Sequence, residues 1–223
     1  MNWKLLVAFA TATTLFGAES DASKRLQSAT ESFNEVMGTP DKSIPQDLLN
    51  KAQCLVIVPG LKKGAFIIGG KYGRGYVSCR KGGGLGWSAP AGVRVEGGSF
   101  GFQIGGAETD VFMLVMNRKG MDRLLTTKFT LGGDASVAAG PVGRDSQAQT
   151  DAAMTAEILT WSRQRGLFAG ISLDGATLRP DEDANRELFG RSIQNRDILT
   201  TDVAAPTPAQ GLLASLNKFS SRK

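Results

Sequence analysis

Eight cations stand between Asp47 and Glu96 with no acidic residue among them: Lys51, Lys62, Lys63, Lys71, Arg74, Arg80, Lys81 and Arg94. An isolated lysine is ordinarily just solvated. A run of cations without compensating acids instead builds a field that attracts a polyanion, and each Lys or Arg near an anionic membrane contributes about 1 kcal/mol before screening. The net charge of +5 and a pI near 9.4 bias the whole chain the same way. Histidine is absent, so Ser-His-Asp and Cys-His catalysis cannot operate and the common zinc sites lose their usual nitrogen ligand. An enzyme here would need a pocket joining two of Asp110, Asp134, Asp145 and Glu157. The Asp181-Glu182-Asp183 cluster suits a hard metal, but a solvated helix start explains it more simply. The expectation is a non-enzymatic protein with no cofactor and no metal.

The elements that must position these cations are glycine-rich. Sixteen of the 28 glycines fall between Gly60 and Gly106. Gly69-Gly70-Lys71-Tyr72-Gly73-Arg74-Gly75 lacks the spacing of a dinucleotide fingerprint and the Lys-Ser/Thr ending of a P-loop. It leads into a strand, Tyr76–Cys79, where a phosphate loop would open a helix. Turn and bulge glycines of a curved sheet account for it better. Nucleic acid would call for aromatics interleaved with the cations. Tyr72 and Tyr76 are present, but an export signal argues against that partner.

That signal is the N-terminus. Lys4 gives a basic start, Leu5 to Phe16 is an apolar segment of the right length, and Ala18 and Ser20 supply small residues for cleavage. The rival is a retained hydrophobic anchor. No Cys follows the segment, so a lipoprotein anchor is not indicated. Export makes a disulfide between Cys54 and Cys79 chemically possible. Strands near 54–58, 64–70 and 75–80 in a simple meander, however, put the two cysteines at opposite edges, which favours free thiols.

Apolar periodicity places a helix over Ser23–Met37, capped by Asp21 or Ser23 and stopped by Gly38 and Pro40. Its stripe of Leu26, Phe33, Val36 and Met37 packs on the domain or, alternatively, lies on a membrane. A short helix follows from Pro45 to Lys51. Beyond the first strands come a short edge at Leu85–Ser88, strands at Val93–Ile104 and Asp110–Met116, and a helix begun near Asn117. Ala135, Val137 and Ala139 alternate toward a core. Glu157–Ser162 and Leu167–Leu173 suggest a hairpin around Gly166, with a helix through Ala152–Thr160 left open. Asp181–Leu188 is helical, Ala204–Pro208 is a linker, and a short amphipathic helix closes the chain. Trp87 and Trp161 suit either the core or a wet edge. The organisation expected is a signal peptide over 1–20, a domain over 21–203, and a linker and C-terminal segment over 204–223. The fold class expected is α+β: a curled, mainly antiparallel Gly-rich sheet with flanking short helices.

A series of motifs then points to a family. Ile57-Val58-Pro59-Gly60-Leu61-Lys62-Lys63-Gly64-Ala65-Phe66-Ile67-Ile68-Gly69-Gly70 resembles the start of the SYLF domain. So do Gly73-Arg74-Gly75, Gly86-Trp87-Ser88-Ala89-Pro90-Ala91 and Gly98-Ser99-Phe100-Gly101-Phe102-Gln103-Ile104-Gly105. Ala139-Gly140-Pro141 and Gly166-Leu167-Phe168-Ala169-Gly170-Ile171-Ser172-Leu173 also match, so the resemblance runs from about Ala29 to Leu199. It implies a lipid-binding module. Eukaryotic members bind phosphoinositides and are linked to membrane remodelling and fungal actin patches, whereas bacterial members are exported phospholipid-binding envelope proteins. This sequence shows no SH3 or zinc-finger unit, and with export expected, actin is not the expected partner. The expected ligand is an anionic bacterial phospholipid surface, met in the periplasm or outside the cell by Lys62, Lys63, Lys71, Arg74, Arg80 and Lys81. The alternative is a structural or interaction protein of the envelope with a protein partner that the resemblance does not identify.

Overall fold

The computed structural model describes residues 19–39, 43–66, 68–82, 86–99, 107–142, 155–164, 166–171 and 173–220. Side chains at 63–66, 68–69, 98–99 and 107 are outside that description, as are the expected signal segment up to residue 18 and the stretch carrying Phe100, Phe102 and Ile104. Helix α1 (Asp21–Met37) and short α2 (Gln46–Lys51) precede a run of strands: β1 (Cys54–Phe66), β2 (Ile68–Cys79), β3 (Ala91–Ser99) and β4 (Ala107–Val115). Helix α3 (Arg118–Leu124) leads to β5 (Phe129–Thr130), β6 (Val137–Ala139), β7 (Ile158–Gln164), β8 (Leu167–Gly170) and β9 (Thr177–Pro180). Helices α4 (Glu182–Phe189), α5 (Asn195–Thr200) and α6 (Gln210–Ser220) end the chain. The strands form one sheet in the order β5-β9-β3-β2-β1-β4-β7-β6, with β8 also on β7. Every pairing is antiparallel except β6 with β7. The fold class is the one expected: α+β, with a curled, mainly antiparallel sheet and short helices.

The curl begins at a bulge. Val58 pairs with Val111 but Leu61 with Thr109, so β1 carries one extra residue at Pro59-Gly60 relative to β4, and likewise relative to β2. Gly60 takes φ +57°, a left-handed value that suits glycine. The Asp110 carboxylate accepts from the Gly60 N–H at 2.9 Å, satisfying a donor that the bulge removes from the ladder. Opposite the bend, a Cβ at Gly75 would sit 2.0 Å from the Ile57 carbonyl oxygen, so only glycine lets β2 lie so close to β1. The extra residue also inverts the side-chain alternation of β1, turning Leu61 inward and Lys62 outward.

Both faces of the sheet are covered. On the outer face Leu55, Ile57, Tyr76, Phe112, Leu114, Leu159 and Trp161 pack beneath α1, α2 and α6. On the inner, concave face Val56, Val58, Val77, Val93, Val95, Val111 and Met113 meet Met121 and Leu124 of α3 and Ile198 and Leu199 of α5. Phe129 and Leu131 join the same inner core from one end of the sheet and Ala135 and Val137 from the other, which is why the sheet curls around it.

Helix α1 starts at an N-cap, Ser20, whose side chain accepts from the Ser23 N–H at 3.1 Å. This replaces the Asp21 or Ser23 cap expected from the sequence. Its stripe of Ala22, Leu26, Ala29, Phe33, Val36 and Met37 is buried, with Phe33 edge-on to Phe219 of α6 at 5.9 Å. Packing on the domain is therefore where that stripe goes. Ala209, Leu212 and Leu216 enter the same core, so the C-terminal segment docks on the sheet's helical layer. No described helix is long and apolar enough to cross a membrane.

Two further expectations change. Cys54 and Cys79 are direct cross-strand partners joined by a disulfide, so neither is free. The expected meander divided at the glycines. The chain instead runs through them in two long strands, bringing the start of β1 opposite the end of β2. The short edge at Leu85–Ser88 reduces, among described residues, to a single bridge between Arg80 and Trp87. Ala135 is buried as expected but Ala139 is exposed. Ile158 onward is strand, which excludes a helix reaching Thr160, and β7–β8 is the expected hairpin, turned by Gly166 at φ +76°.

Candidate anion-binding surface

Strand β2 carries four of the six candidate cations at or near its two ends and centre, and its alternation divides them. Lys71 is the register partner of Lys63 at the end distal to the disulfide. Lys62 pairs in register with Tyr72 and Glu108, and its ammonium lies 3.6 Å from the Glu108 carboxylate. With side chains 74% and 68% exposed, that contact is a weak surface pair which leaves Lys62 available to a partner. Tyr72, half-exposed, stands beside it. The register thus places Lys62 with Tyr72 on one face of the distal end of the β1–β2 hairpin, and Lys63 and Lys71 at the next register position, on the other face.

Arg80 and Lys81 lie at the other end, about 33 Å away at ~3.3 Å per residue. Arg80 is buried, its guanidinium 4.0 Å from the centroid of the Trp87 ring and its Nη2 donating to the Leu49 carbonyl at 3.4 Å. Trp87 itself is buried and donates to Ser220 Oγ at 3.1 Å, so Arg80 is part of the joint between α2, α6 and the sheet. Lys81 remains exposed, 3.2 Å from Asp202.

Arg74 sits between these ends on the outer face. Its Nε and Nη2 both donate to the Asp181 carboxylate, the second at 2.8 Å to Oδ1. Asp181 is buried and also caps α4 by accepting from the Ala184 N–H. Burial alone would raise its pKa. The hydrogen bonds from Arg74 and Ala184, with the charges of Arg74 and Arg25, outweigh that and hold it below the usual carboxylate range. The same hydrogen bond raises the Arg74 pKa further above its ordinary value. Tyr76, two residues on, donates from its hydroxyl to the Ala22 carbonyl at 2.6 Å. Burial is the main cause that pushes its pKa up to about 12. Arg74 therefore ties α4 to the sheet.

The fold also assembles a row that sequence inspection missed. Arg74, Arg94 and Arg179 are direct register partners across β2, β3 and β9. Like charges directly opposite on a sheet destabilise it unless compensated. Arg74 has Asp181, whereas Arg94 and Arg179 share Glu96, at 3.3 Å and 3.2 Å. The three arginines and Glu96 are all partly exposed. The available signal was the alternation in Thr177-Leu178-Arg179-Pro180, with Leu178 inward and Arg179 outward, matching Val93-Arg94-Val95.

The carboxylates expected to matter for an enzyme are apart. Asp110 accepts from Gly60, from Ser32 at 3.0 Å and from Arg163 at 2.8 Å. Asp134 accepts from the Thr130 N–H at 2.7 Å, and Glu157 meets Lys119 at 2.6 Å. Asp145 lies outside the described residues. An open cleft of about 380 Å³ between α1 and the bulge contains Asp110 but neither Asp134 nor Glu157. Among described residues, no three of His, Cys, Asp and Glu are placed to hold a metal ion. Trp161 is buried and donates to the Pro141 carbonyl at 2.8 Å.

Residues 96–219 match the family model described as Las17-binding protein actin regulator. The SH3 domain-containing YSC84-like protein 1 of Rattus norvegicus is 33% identical over 207 residues, covering 92% of this chain and 60% of that protein. Protein YSC84 of Saccharomyces cerevisiae is 34% identical over 187 residues, covering 82% of this chain and 39% of its own length. An SH3 domain-containing protein of Schizosaccharomyces pombe is 39% identical over 178 residues, covering 78% and 41%. The chain thus spans about two-fifths to three-fifths of the length of these relatives. The family's description names actin regulation and Las17 binding and no chemical reaction.

Proposed function

From the premise that this chain belongs to the Las17-binding actin-regulator family and carries its SYLF domain, we propose that it is a non-enzymatic module that docks on anionic phospholipid. The observation that carries this is that Lys62, Lys63 and Lys71 all fall at the distal end of the β1–β2 hairpin, Lys62 on the face of exposed Tyr72 and the register pair Lys63 and Lys71 on the other. Lys81 adds a cation at the far end of β2. Arg74 and Arg80 of the expected set hold that strand against α4, α2 and Trp87, and so support the surface rather than lie open on it. The sequence of the first twenty residues supports export, and with it docking in a bacterial envelope.

The test is co-sedimentation with vesicles of neutral lipid and of the same lipid mixed with an anionic one. Binding is expected to require the anionic lipid and to weaken as salt rises. The triple variant Lys62→Glu, Lys63→Glu, Lys71→Glu should lose at least about tenfold in affinity at low salt, since each lysine contributes about 1 kcal/mol before screening. Arg74 is left intact because Asp181 is buried against it. Unchanged binding by the triple variant would remove the site.

A second reading is favoured by the family's description. The same surface would then serve a protein partner, and one stoichiometric protein retained without vesicle affinity would replace the lipid assignment.

A further inference from the structure

Among the described residues three large hydrophobics are exposed: Tyr72 at 49%, Val142 at 37% and Leu167 at 72%. The register carries all three to the end of the sheet where Lys62, Lys63 and Lys71 lie. Tyr72 is the cross-strand partner of Lys62, which also pairs with Glu108 of β4. Asp110, two residues further along β4, pairs with Arg163 of β7, and the next β7 residue, Gln164, pairs with Leu167 of β8. Leu167 therefore stands one register step from the level of Lys62 and three strands away from it, roughly 14 Å at ~4.8 Å per strand. Val142 lies three residues beyond Ala139, the partner of Thr160 in the parallel pair of β6 and β7, so the chain carries it toward the same end. Leu167 is also held in place. Gly166 turns its hairpin at φ +76°, and Phe168 packs edge-on to Phe112 at 6.2 Å. That contact fixes β8 on the sheet and turns the neighbouring Leu167 to the opposite side, where it meets solvent.

Single exposed apolar residues scattered over a surface need no explanation, but three gathered at the end that carries the lysines do. The lysines add a constraint. Lys62 falls on one face of the hairpin and Lys63 and Lys71 on the other, so a flat surface laid against either face would miss part of the set. A surface that meets the strand ends reaches both. We propose that the domain docks end-on, with the distal end of β1–β2 and the tip of β7–β8 toward the bilayer and Leu167 inserted beneath the headgroups as an apolar anchor. Tyr72, an apolar ring with a polar tip, suits the boundary between the two layers. The carboxylates at this level, Glu108 and Glu96, are paired with Lys62 and with Arg94 and Arg179, so neither meets the membrane as a bare negative charge. This inference rests on the docking reading. It adds an orientation and an apolar contribution that salt does not screen.

The experiment uses the full chain and vesicles of phosphatidylcholine mixed with phosphatidylglycerol, with and without bromine on the acyl chains. Leu167→Trp places a fluorescent reporter at the tip. Asp202→Trp places one beside Lys81, at the opposite end of the β1–β2 hairpin. Each signal is read as the difference from wild type, whose described tryptophans, Trp87 and Trp161, are buried. On vesicle binding the Leu167→Trp emission should shift to the blue and be quenched by the brominated chains, while the Asp202→Trp emission should do neither. Leu167→Ser should lose about tenfold in vesicle affinity, the equivalent of burying one leucine side chain. It should keep the wild-type dependence on salt, because no charge is removed. The lysine triple variant should instead weaken binding and flatten that dependence. Since Leu167 is exposed, Leu167→Ser should unfold at the wild-type denaturant midpoint. Lysine-dependent vesicle binding with no quenching at Leu167→Trp and wild-type affinity in Leu167→Ser overturns the anchor and leaves the docking reading standing. Equal quenching at both reporters overturns the end-on orientation. Absence of wild-type binding to the anionic vesicles overturns the docking reading and the anchor with it.

Discussion

The two ends of the β1–β2 hairpin are made of the same residue types and behave oppositely. At the base, Cys54 and Cys79 are bridged, Arg80 lies on Trp87, and Tyr76 is buried under the start of α1. At the distal end, Lys62, Lys71 and Tyr72 stand half or fully open beyond the helical layer. A cation and a tyrosine at the base fasten layers together, while the same pair at the distal end is left open to solvent. What separates them is the helices α1, α2 and α6, which cover one end of a continuous sheet. Residue type alone therefore did not assign function here. Cover did.

The largest effect that would sharpen this contrast lies in the glycines. Gly75→Ala places a Cβ 2.0 Å from the Ile57 carbonyl, backbone that cannot swing aside. We expect a loss of about 4 kcal/mol or more, or failure to fold. Gly70→Ala, near the distal end, meets nothing within 4 Å and should change stability by less than about 1 kcal/mol. Denaturant midpoints and m-values for the two variants decide it. Equal losses would mean that the distal end is as tightly built as the base.

Next in size is the disulfide. It closes a loop with a sequence separation of 25, and constraint of the unfolded chain by such a loop is worth about 3 kcal/mol. Both sulfurs belong to fully buried residues, so reduction needs partial unfolding. Cys54→Ala with Cys79→Ala should lower stability by that amount in urea and leave vesicle binding intact. Loss of binding with little change in stability would mean that the bridge serves the distal end and not the base.

These particulars also show what the sequence could and could not reveal. The helices, the β7–β8 hairpin and the class of sheet were legible because apolar periodicity and turn chemistry are local. The length of β1 and β2 was not. Gly60, Gly64, Gly69, Gly70, Gly73 and Gly75 look like breaks, yet the structure uses Gly60 for a bulge and Gly75 for close strand contact within continuous strands. That single misjudgement separated two cysteines that are in fact cross-strand neighbours. In the candidate surface Lys62 and Lys81 were legible as exposed because their distant partners, Glu108 and Asp202, are themselves exposed and hold them weakly. Arg74 was not, because its partner Asp181 is 107 positions away. Arg179 went unremarked because a four-residue strand acquires meaning only from the strand it pairs with.

The smallest of these effects compares the two tyrosines of the chain, Tyr72 and Tyr76, four residues apart on one face. Tyr76 is buried, donates to the Ala22 carbonyl, and has its pKa pushed from 10.0 up to about 12, chiefly by burial. Burial favours the neutral phenol, so between those two values the unfolded chain has released the proton and the folded chain still holds it. Stability rises with pH where the unfolded state binds more protons, and here it binds fewer, so stability must fall. The contribution is complete below pH 10 and disappears as the pH climbs through about 12. Its size is about 2–3 kcal/mol, from two units at 1.36 kcal/mol each. Urea denaturation at pH 9 to 12 should show this loss in wild type and a shallower one in Tyr76→Phe, which cannot ionise at that site. At neutral pH Tyr76→Phe also loses the hydrogen bond to the Ala22 carbonyl, a cost that Tyr72→Phe, at a half-exposed residue outside the helical layer, does not carry. If Tyr76→Phe kept the full loss with rising pH, and Tyr72→Phe were the more destabilising of the two at neutral pH, the hairpin's buried end would have been misplaced and the contrast between its ends would fail.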